Sequence, residues 1–261
     1  MGVIRTDEWL DKNFADPLKI CEELKESFGN DERKNIYQYL LKFGMYKPNN
    51  QTYRDFQKLK EMNMWECVEE IFTKYQKKWK GPNIPVYIFP IMATNGLFQK
   101  SSFKKAGLAF IDKLFLFLSP IEDEREIEAL LVHEYHHTCR LNKQGEKVAD
   151  FTLMDSLILE GLAEHAVKLY CGEKYLAEWC NYYSRKETQQ FWEERLQNKL
   201  DVKKRDKLHD EILFGMNGYP KLMGYAVGYE LISMFNKKNK LTIRESFFME
   251  SKRFIKDLKS E

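Results

Sequence analysis

Residues 133–137 read His-Glu-Tyr-His-His, an H-E-x-x-H arrangement, and no other feature of the chain restricts its fold as tightly. Imidazoles four residues apart meet on one face of an α-helix, one turn above the other. From there both can reach a single tetrahedral zinc. Glu134 lies about 100° around the helix from His133, beside the metal rather than on it. A carboxylate in that place can take a proton from a zinc-bound water and pass it to a leaving amine. Five residues thus encode two ligands, His133 and His137, and a general base, provided that a helix carries them.

The surrounding pattern supplies the helix. Glu122, Asp123 and Glu124 crowd a start that suits the helix dipole, and the helix is expected to run to about Leu141. Ahead of it, Ile84–Pro90 is β-branched, aromatic and bounded by prolines, which reads as a strand. Residues 91–106 read as a loop. Gly107–Ile111 and Leu114–Leu118 form a second strand region, one hairpin or one bent strand. Residues 7–80 read as helices with a break at Lys47-Pro48-Asn49-Asn50. After the motif, helices are expected at about 154–170, 174–197, 204–214, 219–236 and 242–258. The implied fold class is α+β: mostly helical, with a small mixed sheet preceding the motif helix. Residues 1–82 are expected as a helical N-terminal region and 83–261 as the domain bearing the motif, or the two as one continuous domain.

Composition narrows the function. The net charge is +2 on 42 basic and 40 acidic residues, which argues against a nucleic-acid binder with a strongly basic face. The lysine runs at 77–78 and 203–204 read as solvated helix faces. No stretch approaches the roughly 18 apolar residues of a membrane span, and residues 1–30 lack an apolar run of signal length. Five cysteines without C-x-x-C pairing read as reduced thiols, so a cytoplasmic location is expected.

A catalytic zinc needs a third protein ligand and an open position. The H-E-x-x-H-x-x-G-x-x-H form is excluded, because Arg140 and Lys143 stand where it needs glycine and histidine. The segment Leu159-Glu160-Gly161-Leu162-Ala163-Glu164-His165 offers the remaining candidates. Glu160 and Glu164 share a helix face; one could bind zinc while the other holds a ligand imidazole through its second nitrogen. His165 lies about 140° away from Glu160. His136 reads as a buried polar residue, and Cys139 faces away from the metal.

These residues carry a resemblance. His133-Glu134-His137 followed by Glu160 on a later helix, with a second acid, Glu164, four positions on, resembles the gluzincin clan of thermolysin-like metallopeptidases. The H-E-x-H-H form, I-L-E-G-L-A-E and the later G-Y-x-x-G-Y resemble, over roughly residues 105–235, the YjaZ-like family of bacterial predicted zinc-dependent proteases. The resemblance implies one zinc held by His133, His137 and Glu160, with Glu164 orienting a ligand histidine. It implies a zincin fold, a peptide or protein substrate, and a sheet edge in 107–118 above the motif helix, beside which Leu114–Leu118, apolar throughout, also reads as an interior strand. It also implies a Tyr or His that steadies the oxyanion: Tyr225 first, Tyr229 second, with His209 as an alternative whose charged neighbours suggest the surface. Three other readings stand beside it. One is a zinc hydrolase of a non-protein amide. Another is a catalytically silent zinc-fold protein that binds a partner. The last is a di-iron carboxylate bundle, which lacks its second E-x-x-H because Ala163 and Val167 occupy the positions it would need.

Overall fold

The computed structural model describes residues 2–92, 104–145 and 148–256, which divide into two compact units, Met1–Glu134 and Tyr135–Glu261. The first opens with helices α1 (Thr6–Asn13), α2 (Pro17–Glu23), α3 (Arg33–Lys42), α4 (Asn50–Glu61) and α5 (Met64–Trp79). Helix α4 restarts the chain after the expected break because Asn49 closes a capping box. Its side chain accepts from the Thr52 backbone N–H, and the Thr52 hydroxyl accepts from the Asn49 N–H.

Strands β1 (Val86–Pro90), β2 (Lys105–Ala109) and β3 (Leu114–Leu118) form a mixed sheet of order β1-β3-β2. β1 runs parallel to β3, and β2 pairs with it as an antiparallel hairpin. β2 begins two residues earlier than expected, since Lys105 still pairs with Leu118. The rest of the expected loop, 93–103, lies outside the described residues. In Leu114-Phe115-Leu116-Phe117-Leu118 two side-chain types alternate, and strand side chains alternate faces. Gly107 pairs with Leu116, so the three leucines share its face. The phenylalanines take the other, where Phe115 stacks on Tyr87 at 4.8 Å between ring centroids. β1 and β3 are buried throughout, whereas β2 is half-buried along its whole length. The interior strand is therefore β3, and β2 is an edge of the sheet among the described residues.

Helix α6 (Glu124–Gln144) carries the motif. Asp123 accepts from the Arg125 backbone N–H at 3.1 Å, satisfying an orphan donor at the helix start. Further along, Glu128 accepts from Lys74 Nζ at 2.6 Å and from the Tyr75 hydroxyl at 2.8 Å, which ties α6 to α5.

In the second unit, α7 (Leu153–Tyr170), α8 (Arg185–Phe191), α9 (Lys207–Phe214), α10 (Met223–Asn239), α11 (Ile243–Phe248) and α12 (Ser251–Lys256) follow. Leu157, Ile158, Leu162, Ile212, Val227, Ile232 and Phe254 form its core. A Cβ on Gly161 would fall 2.2 Å from the Gly228 carbonyl oxygen, and one on Gly228 would fall 2.2 Å from that of Leu157. α7 and α10 thus cross at backbone contact, which only glycine permits. Two expectations fail here. The single helix expected over 174–197 is a set of short turns, Glu173–Tyr175 and Glu178–Asn181, then α8 and a π-turn at Trp192–Leu196, because residues 177–180 fold back onto Glu164. The helix expected over 242–258 breaks into α11 and α12, since Met249 leaves helical geometry at ψ 127°.

Candidate metal centre

His133 and His137 project from consecutive turns of α6, and Glu160 comes from α7. Thr152 fixes the start of α7 by accepting from the Asp155 backbone N–H in a second capping box. His133, His137 and Glu160 each offer one ligand atom, and the three atoms lie within 4.8 Å of one another. His137 Nε2 stands 3.5 Å from Glu160 Oε2. Two donors on a tetrahedral zinc, each about 2.0–2.1 Å from the ion, lie about 3.4 Å apart, so this separation is one that a shared ion would bridge. Two imidazoles and a carboxylate are also a donor set that suits zinc. Among the described residues, no other group of three or more His, Cys, Asp and Glu converges in this way.

Glu134 is buried at 8% exposure. A Cβ on Gly107 would lie 2.3 Å from Glu134 Cγ and 2.6 Å from Oε1. The carboxylate of Glu134 therefore rests on the bare backbone of the edge strand. Sequence reading did not single out Gly107. The signal was present, since an isolated glycine in a strand marks a close approach.

Glu164 is buried one turn beyond Glu160 on α7, and its Oε2 accepts from the Ala177 backbone N–H at 2.9 Å and from Cys180 Sγ at 3.7 Å. Burial, reinforced by Glu164, pushes the Cys180 thiol pKa far up, so this cysteine stays protonated and can donate. No residue pattern announces this turn, because its main donor is a backbone amide. His165 is buried, and desolvation followed by Lys168 lowers its pKa. His136 is fully buried and shares a 2.9 Å hydrogen bond with Ser246 Oγ. Burial raises the Cys139 thiol to about 12, which leaves it a neutral core residue.

The two tyrosines lie on α10. Tyr225 packs edge-on against Trp179 at 5.2 Å and tilts over Phe214 at 5.8 Å. Trp179 belongs to the turn that holds Glu164, so Tyr225 stands on that side of α7. Tyr229 reaches further along, to Ser233 and Lys168. Lys168 is eight residues past Glu160, about 12 Å along the helix. His209 departs from its expected surface position: it is fully buried, with Nε2 2.9 Å from Ser156 Oγ and Nδ1 2.8 Å from Asp210 Oδ1. Its charged neighbours face outward while the imidazole turns inward to join α9 to α7.

No helix among the described residues is long and apolar enough to cross a membrane. Residues 64–256 match the family model described as "Predicted Zn-dependent protease (DUF2268)". The chain is 33% identical over 259 residues to the uncharacterized protein YjaZ of Bacillus subtilis (strain 168), covering 98% of each. It is 26% identical over 138 residues to the uncharacterized protein YjfC of the same organism, covering 49% of this chain and 46% of that one. No solved structure matches the chain significantly. The matched region spans α5 to α12 and takes in every residue of the His133, His137 and Glu160 cluster, and on this evidence the chain belongs to the DUF2268 family of predicted Zn-dependent proteases.

Proposed function

We propose that this protein is a zinc peptidase of gluzincin type, acting on peptide bonds in the cytoplasm with one zinc per chain. The observation that carries the reading is the convergence of His133, His137 and Glu160 beside a Glu134 carboxylate lodged on the edge strand. Zinc held by those three residues supplies a Lewis acid and lowers the pKa of the water it binds. Glu134 is the general base that takes a proton from the attacking water, and then the acid that returns it to the leaving amine. Its burial against Gly107 limits the positions that the carboxylate can occupy. Glu164, fixed by Ala177 and Cys180, orients a ligand imidazole. Tyr225 donates to the carbonyl oxygen as negative charge develops there. Tyr229, one turn further along α10, is the second candidate for that donor. β2 offers backbone donors and acceptors to an extended substrate, which would add to the sheet as a further strand.

The test is a quenched-peptide library assayed with zinc content measured in parallel. Wild type should hold about one zinc and cleave peptides, and both properties should fall with chelator. Glu134→Gln should keep its zinc and lose activity by about 10²–10⁴-fold, whereas Glu160→Gln should lose zinc. Full zinc occupancy with no peptide cleaved would instead favour a silent zinc fold or a non-protein amide substrate.

A further inference from the structure

The helix that carries the H-E-x-x-H motif has a second functional stripe. His136, Arg140 and Gln144 follow one another at four-residue spacing, so they form one ridge of α6 beside the His133–His137 ridge, with His136 about 60° around the helix from His133 and about 100° from His137. Each reaches the C-terminal helices. His136 Nε2 is 2.9 Å from Ser246 Oγ on α11. Arg140 Nη1 donates to the Ser246 carbonyl, and Nη2 donates to Ser251 Oγ on α12 at 3.3 Å. Gln144 Nε2 donates to the Met249 carbonyl at 3.2 Å. His136 and Ser246 are fully buried, and Arg140 is 1% exposed. The His136 ring also packs on Phe247 at 5.0 Å.

Ser246 Oγ carries one proton and gives it to the Ile243 carbonyl at 2.6 Å. It must therefore accept from His136, which holds its own proton on Nε2. This stripe matters for the neighbouring one because ligand positions depend on helix rotation. An imidazole nitrogen roughly 6 Å from the axis moves about 1 Å when the helix turns by about 10°. A zinc site tolerates only about 0.2 Å in its ligand distances.

Resting on the zinc reading above, we infer that His136 and Arg140 are positioning residues. Clamped by α11 and α12, they fix the rotation of α6 and so place His133 and His137 for the metal. The C-terminal helices are then a working part of the metal centre although they supply no ligand. Residues supporting ligands in this way typically change metal affinity by 10–100-fold when removed.

The test compares wild type, Ser246→Ala and His136→Gln as full-length proteins. The glutamine keeps an N–H donor near the position of imidazole Nε2, so it serves as the conservative rescue. Zinc affinity is read by competition with a chromophoric chelator, helical content by circular dichroism, and the His136 tautomer by ¹⁵N chemical shifts of the metal-free protein. The clamp predicts an Nε2–H tautomer in wild type. It predicts at least about tenfold weaker zinc binding in Ser246→Ala at unchanged helical content, and near-wild-type affinity in His136→Gln. Ser246→Ala binding zinc as tightly as wild type would overturn the clamp while leaving the zinc reading intact. A wild type that binds no zinc would overturn the zinc reading, and the clamp with it.

Discussion

At the residue scale, the least replaceable atom near the candidate centre is one that is missing, the Cβ of Gly107. Ordinary strand chemistry would place a side chain there, and the Glu134 carboxylate fills its space instead. Gly107→Ala should therefore displace Glu134 while leaving His133, His137 and Glu160 alone. Peptidase activity should fall by at least about tenfold, a barrier rise of about 1.4 kcal/mol, with zinc content unchanged; parallel activity and metal assays check this. Sequence reading picked out His133, His137 and Glu160, which the fold brings together, because their spacing has a helical meaning. It passed over Gly107, whose importance depends on a partner 27 residues away in the chain. It also placed His209 at the surface, because charged neighbours describe one side of a short helix and the imidazole occupies the other.

At the element scale, the placement of Glu160 depends on two helices in backbone contact. Gly161 follows Glu160 directly, and its missing Cβ lets α10 approach α7. Gly161→Ala should force the helices apart and cost about 1–3 kcal/mol. A thermal melt should show a midpoint several degrees lower, and zinc affinity should fall with it. α6 is held by a different device. Burial works against ionised Glu128, but Lys74 and Tyr75 outweigh it, and its pKa lies below the usual carboxylate value. A carboxyl group whose pKa is depressed on folding stabilises the protein above its unfolded pKa, and loses that contribution as pH falls through the folded value. Glu128→Gln should thus lower stability near neutral pH by about 1–3 kcal/mol. The gap to wild type should close as pH drops below about 4, which denaturant titrations across pH would show. The strand hairpin and the helices around the motif were legible because each had a clear period or cap. The stretch 174–197 was not, because its path is set by Glu164, a residue on another element, and the break at Met249 leaves no Gly or Pro to mark it.

At the scale of the whole molecule, the family match runs from α5 to α12, and YjaZ of Bacillus subtilis aligns over nearly the full chain. The mostly helical α+β plan, with its small sheet ahead of the motif helix, was readable from periodicity alone. Which segment of the edge expected in 107–118 lies outermost was not, since strand order depends on pairing between segments that no local pattern encodes. A single metal site assembled from α6 and α7 is the expected centre of the molecule. X-ray absorption at the zinc K edge tests this most directly, on zinc-loaded wild type and on Glu160→Gln. Wild type should show imidazole nitrogen and carboxylate oxygen at about 2.0–2.2 Å with no thiolate shell, and Glu160→Gln should lose zinc or change its first coordination sphere. A sulfur shell near 2.3 Å, or an unchanged spectrum in Glu160→Gln, would contradict the account.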